Sequence, residues 1–168
     1  MKTAIVYKSR HGTTAKVAML IASKLKKDHV EIFNLQDDSQ PDLSEFERII
    51  VGGSIHVGNI QRGLRIFCED YKEVLLDKEL GLFICCMDPD EGIRRLEFER
   101  AFTPVLREHS RASGIMGGEF LFEKMNFLEK LAVQKIAKRE KTVSEIDLEA
   151  VKKFSLELTK KQAAHSAE

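Results

Sequence analysis

The sequence predicts an α/β domain: a doubly wound, five-stranded parallel sheet in the order 2-1-3-4-5, with helices on both faces and an insertion before the last helix. Three observations carry that expectation. The short apolar runs Ala4–Tyr7, Ile49–Val51 and Leu80–Cys86 have the continuous hydrophobicity of strands covered on both faces. Each is followed by apolar residues at helical spacing, so strands and helices alternate. The two stretches richest in glycine and hydroxyl groups, 9–14 and 52–59, fall after strands one and three. Those strand ends flank the switch point of this order, where ligands bind outside the carboxyl edge of the sheet.

Taken in order, Thr3–Tyr7 is strand one, and Val17, Ala18, Ile21, Ala22 and Leu25 give the first helix its buried stripe, with Lys16, Lys24 and Lys26 opposite. Val30–Leu35 suits a second strand nearer the sheet edge, and the polar stretch around Pro41 is a loop. Strand three, Ile49–Val51, runs into Gly52–Asn59, and Leu64, Phe67, Cys68, Tyr71 and Leu75 mark one helix after it. Strand four, Leu80–Cys86, ends in Met87-Asp88-Pro89-Asp90. Phe98, Phe102, Val105 and Leu106 mark another helix, and the fifth strand is expected within Gly114–Phe122. The last helix starts at Asp147 as cap and buries Leu148, Val151, Phe154 and Leu158. One domain over 1–161 and a frayed tail over 162–168 complete the reading.

The composition narrows the function classes. Lys plus Arg equal Asp plus Glu at 27 each, so no global field recruits nucleic acid. The longest apolar stretch, Leu80–Met87, is too short to span a bilayer, and no signal peptide is read at the start. Three cysteines, two of them adjacent, make no disulfide framework and imply a reducing, cytoplasmic location. Cys85 and Cys86 point to opposite faces of a strand and are read as buried free thiols. The histidines at 11, 29, 56, 109 and 165 show no metal-ligand spacing, so no metal site is assigned.

Ser9-Arg10-His11-Gly12-Thr13-Thr14 joins a buried strand to a helix N-terminus. Backbone N–H groups and the helix dipole favour an anion there, and Gly12 admits close approach. Plain helix capping by Ser and Thr is the competing reading. Neither the nucleoside triphosphatase loop nor the dinucleotide fingerprint is present, which leaves a mononucleotide or similar phosphate ester.

These residues resemble the phosphate loop of the flavodoxin-like FMN proteins, Ser/Thr-x-Thr-Gly-x-Thr, with His11 where Thr is usual. The resemblance extends over nearly the whole chain. It is closest to the menaquinone-dependent protoporphyrinogen IX oxidases, through Met1-Lys2-Thr3, Ser9-Arg10, the Gly-x-Ser-Ile run at 52–55 and Gly58. It implies FMN as cofactor, its phosphate held by Ser9, Arg10, His11, Gly12, Thr13 and Thr14. Ser54, Ile55, His56, Val57, Gly58 and Asn59 would border one side of the ring, and Met87 and Asp88 the other. Gly58 stands where the family has a glycine whose peptide flips to meet reduced N5, a motion that a residue without Cβ makes cheap. Val57 replaces a common stacking aromatic, and no aromatic stands in 86–90, so weaker FMN binding, or flavin faces left open for a substrate, is expected. The activity implied is oxidation of a porphyrinogen-like substrate, electrons passing through FMN to a quinone. A flavodoxin-type carrier docking redox partner proteins and an NAD(P)H:quinone reductase are the alternatives, and no catalytic residue is assigned.

The insertion, about 119–141, carries Leu121, Met125, Leu128, Ala132 and Ile136 on one helical face, broadened by Phe120, Phe122, Phe127 and Leu131. Between Lys124 and Lys141 six basic residues stand against two acidic, a local net charge of +4. A basic amphipathic segment of this kind suits peripheral membrane contact or a cover for an apolar acidic substrate; a helix packed on the domain is the competing reading.

Overall fold

The computed structural model describes residues 1–9, 11–120 and 143–160. Strands β1 (Lys2–Lys8), β2 (His29–Asn34), β3 (Arg48–His56), β5 (Glu79–Cys85) and β6 (Ala112–Ile115) pair in parallel in the order β2-β1-β3-β5-β6. Counted along the parallel strands this is the expected 2-1-3-4-5 order. A short strand, β4 (Asn59–Ile60), folds back antiparallel onto β3 and was not anticipated.

Strand alternation divides the core in two. Ala4, Val6, Ile49, Val51, Leu82 and Ile84 face one way, against α2 (Arg62–Asp70), α3 (Lys72–Asp77), α4 (Glu91–Ala101) and α5 (Pro104–His109). Ile5, Ile50, Phe83 and Cys85 face the other, against α1 (Thr13–Lys24) and α6 (Leu148–Thr159). Cys85 and Cys86 thus belong to opposite layers as buried cysteines outside any disulfide.

Several elements differ from the expectation for identifiable reasons. The helix after strand three is two helices, broken where Tyr71 stacks on Phe67 at 4.5 Å and donates to the Pro41 carbonyl. The helix around Phe102 is also two, because Pro104 forces Thr103 into extended backbone and can only begin a new helix. The fifth strand ends at Ile115, ahead of most of its expected span; Gly117, at φ +65°, turns the chain into β7 (Gly117–Phe120). β7 pairs antiparallel with β8 (Val143–Ile146), a two-stranded sheet with no counterpart in the expectation. Phe120 therefore lies in a strand and not on a helical face; residues 121–141 of the amphipathic insertion and the tail 162–168 lie outside the described residues. Asp147 caps α6, accepting from Ala150 N–H at 2.8 Å, and Val151, Phe154 and Leu158 are buried as expected, whereas Leu148 is 60% exposed.

The amino ends of the strands are tied by charge. Arg48, 4% exposed, bonds Asp28 and Glu79 and donates to the Leu158 carbonyl at 3.1 Å, while Arg111 takes the other oxygen of Glu79 at 2.9 Å. Among the described residues no helix is long and apolar enough to cross a membrane.

Candidate functional site

At the opposite, carboxyl end of the sheet three loops meet, because the strand register brings Lys8 beside Gly53 and Ser54 beside Cys85. The loop after β1 is shaped by its own polar groups: Gly12 N–H donates to Ser9 Oγ at 2.9 Å, and Gly12 occupies the N-cap of α1 at φ +95°. The capping reading of this loop is thereby corrected. The cap is a glycine without a side chain, and Thr13 and Thr14 are the first buried helical residues. Thr14 Oγ1 instead meets Ser54 Oγ at 2.5 Å, locking the loop after β1 to the end of β3.

The second loop is a two-residue hairpin turn. His56 pairs with Asn59, leaving Val57 and Gly58 at the corner with φ of +49° and +74°. Two positive φ values are the signature of a type I′ turn, and a β-branched residue there stores on the order of 1–3 kcal/mol of strain. Asn59 Nδ2 steadies the corner by donating to the Val57 carbonyl at 3.0 Å. Ile55 packs half-buried on the core, whereas Val57 is 70% exposed at the tip.

His56 is half-buried at the end of β3, its ring centroid 5.9 Å from that of His11. Scattered in sequence, these two histidines are thus brought together by the fold. Arg10, between Ser9 and His11, lies outside the described residues.

The third loop follows β5. Cys86 N–H donates to the Gly117 carbonyl at 2.8 Å, and Met87 lies over Gly118, where an added Cβ would come within 2.9 Å of Met87 Cγ. Asp88 Oδ1 accepts from Asp90 N–H at 2.9 Å and the Asp88 carbonyl from Arg94 at 2.7 Å, so this residue shapes its own turn. A cleft of about 350 Å³ opens beside it, lined by Met87, Ile115 and Arg94 and by the carboxylates of Asp88, Glu91, Glu145 and Asp147.

One residue beneath these loops was missed in the sequence. Glu97 of α4 is 7% exposed; its Oε2 accepts from the Cys86 thiol at 2.7 Å, and its Oε1 lies 3.8 Å from where a Cβ on Gly58 would stand. Burial, reinforced by the bond to Glu97, pushes the Cys86 thiol up to about 12. The available signal was a carboxylate four residues before buried Ala101, on the inner stripe of α4.

The site suits a phosphate ester. An added Cβ at Gly12 would meet nothing within 4 Å, leaving open space over the first turn of α1, where backbone N–H groups and the dipole favour an anion. Of the hydroxyls nearby, Ser9 Oγ accepts from Gly12 N–H and Thr14 Oγ1 meets Ser54 Oγ, and Thr13 and Thr14 are buried.

The family description "Flavodoxin domain" matches residues 4–147. Protoporphyrinogen IX dehydrogenase [quinone] of Escherichia coli K12 is 27% identical over 73 residues, 42% of this chain and 40% of that protein. The match thus spans well under half the length of that relative. Oxidised flavodoxin 1 of Bacillus cereus is similar in structure with a TM-score of 0.57 at 18% identity, over 94% of this chain and 97% of its own. The flavodoxin of Streptococcus pneumoniae TIGR4 matches with a TM-score of 0.56 at 19% identity and the same coverage. With the family description covering most of the chain and a doubly wound sheet order, the protein belongs to the flavodoxin family and takes FMN as its cofactor.

Proposed function

We propose that this protein is an FMN-dependent oxidoreductase of the protoporphyrinogen IX dehydrogenase kind, moving electrons from a reduced organic substrate through its flavin to a quinone. The sequence match to the Escherichia coli dehydrogenase is the observation that carries this reading. The flavin supplies the redox chemistry, and the protein binds, orients and shields it. Ser9, His11, Gly12, Thr13 and Thr14, with Arg10, hold the phosphate, and the Thr14–Ser54 bond fixes the distance from that anchor to the ring-binding turn. His56, Val57 and Gly58 line one side of the ring and Met87 and Asp88 the other.

An exposed Val57 at the tip, in place of a stacking ring, leaves one flavin face reachable by a substrate. Among the described residues that line the cleft beside Met87, four acidic residues stand against Arg94, which disfavours an acidic molecule there and directs such a substrate to the Val57 side. The basic apolar segment 119–141 is the proposed contact with a quinone-bearing membrane surface.

A flavodoxin-type electron carrier is the second reading, favoured by the near-complete coverage of single-domain flavodoxins. An anaerobic assay separates the two: FMN-loaded protein is mixed with protoporphyrinogen IX and a menaquinone analogue, and porphyrin fluorescence is followed above the uncatalysed rate. Turnover that falls when Lys130, Lys135 and Lys138 are changed to Gln supports the enzyme and its membrane-facing segment. FMN that is bound and reducible without turnover supports the carrier. Point changes are chosen because deleting 119–141 would remove half of β7 and its pairing with β8.

A further inference from the structure

Glu97 breaks a local rule. A carboxylate 7% exposed has the Cys86 thiol as its hydrogen-bonding partner, and among the described residues no cation pairs with it. Burying a charge without a counter-ion is costly, and a glutamine would accept from the thiol equally well in the same space. A purely structural fastener therefore needs no carboxylate. Its position is informative: one oxygen engages Cys86, the residue leading into Met87–Asp88, and the other faces Gly58. Glu97 thus bonds the support of one wall of the flavin site and faces the other from behind.

We propose that Glu97 is a positioning residue of the flavin site, bonded to Cys86 at the end of β5 and facing the Gly58 turn, so that a carboxylate stands behind the ring, where in its charged form it disfavours the reduced, anionic cofactor. This rests on the placement of the flavin between the Gly58 turn and the Met87–Asp88 loop. Removing one charge from behind the ring in a protein interior is expected to strengthen binding of reduced over oxidised FMN by about tenfold. For a two-electron couple, tenfold corresponds to about 30 mV.

The test compares wild type, Glu97→Gln and Cys86→Ala by oxidised-FMN affinity, by midpoint potential from dye equilibration, and by the infrared S–H stretch of the apoprotein. Glu97→Gln is expected to keep oxidised-FMN affinity within about twofold and to shift the potential positive by the amount above. Cys86→Ala strips the donor from the carboxylate and is expected to shift it negative, which keeps the proposal open to refutation if Glu97→Gln fails to fold. The Cys86 S–H band is expected at lower frequency in wild type, where the thiol donates to a carboxylate, than in Glu97→Gln, where it donates to a neutral amide. Unchanged potentials in both variants would overturn the proposal and leave Glu97 a structural contact. If the phosphate-loop variant Gly12→Val/Thr14→Ala retained FMN while the S–H shift persisted, the flavin placement would be at fault and the Cys86–Glu97 pair would stand.

Discussion

Val57 shows how much a single residue can be asked to bear. Its side chain is in solvent and its backbone in a conformation that β-branched residues avoid, so changing it to Asn, which tolerates positive φ and completes an Asn-Gly turn, removes strain without touching the core. Val57→Asn is expected to stabilise the protein by about 1 kcal/mol, read as a raised urea midpoint at unchanged slope. The buried thiols give a residue-scale pH dependence. Burial raises Cys68 and Cys86 from the ordinary 9.0 to about 12, so the folded state keeps protons that the unfolded chain releases. The stability they contribute is complete below about pH 9 and is lost as pH rises toward about 12. Denaturation midpoints between these limits should fall less steeply in a Cys68→Ala/Cys86→Ala variant. At this scale the sequence was legible where a residue type is tied to one local geometry, as with Gly12 in its left-handed cap and Asp147 in its hydrogen bond to α6. Glu97 was not legible. α4 carries acidic residues on every side, and only the packing of β4 against it singles out the buried one.

Among the elements, the loop that joins β1 to α1 has the most direct consequence. Val at position 12 would have to adopt φ +95°, and Ala at position 14 would remove the bond to Ser54. The Gly12→Val/Thr14→Ala variant is expected to purify without flavin while keeping a wild-type far-ultraviolet circular dichroism spectrum; a yellow, fully occupied variant would move the cofactor elsewhere. Gly117 plays a comparable part for β7 and β8. A Cβ there would lie 2.0 Å from the Glu145 carbonyl oxygen, so Gly117→Ala should part the two strands and speed amide exchange across 117–120 and 143–146, leaving the parallel sheet protected. Continuous apolar runs made the central strands readable, since both faces of β1, β3 and β5 are covered. β7 and β8 were hidden because their pairing crosses more than twenty residues and depends on a close backbone approach at Gly117 that no periodicity encodes. The split helices were partly readable in Pro104, which was present and not used as a stop.

For the whole molecule, the sheet has a charged end and a ligand end. Arg48 holds Asp28, Glu79 and the Leu158 carbonyl together at the amino edge, far along the strands from the FMN cradle. Arg48→Leu would leave the mostly buried Asp28 carboxylate without its cation and Glu79 with Arg111 alone, and is expected to cost about 3 kcal/mol in urea unfolding, with FMN affinity of the folded protein little changed. The doubly wound order was legible because alternating strands and helices leave few right-handed arrangements, and the ligand end followed from it. The ionic cluster was not, since its members are separated by 20, 31, 32 and 110 residues along the chain. Those separations have a kinetic meaning. Contacts between such distant segments form only after the intervening chain is organised, so the cluster closes late, once the strands are in order and α6 has docked. Arg48 then acts as a latch on a finished topology: its loss should appear mainly as faster unfolding, with refolding nearly as fast as in the wild type.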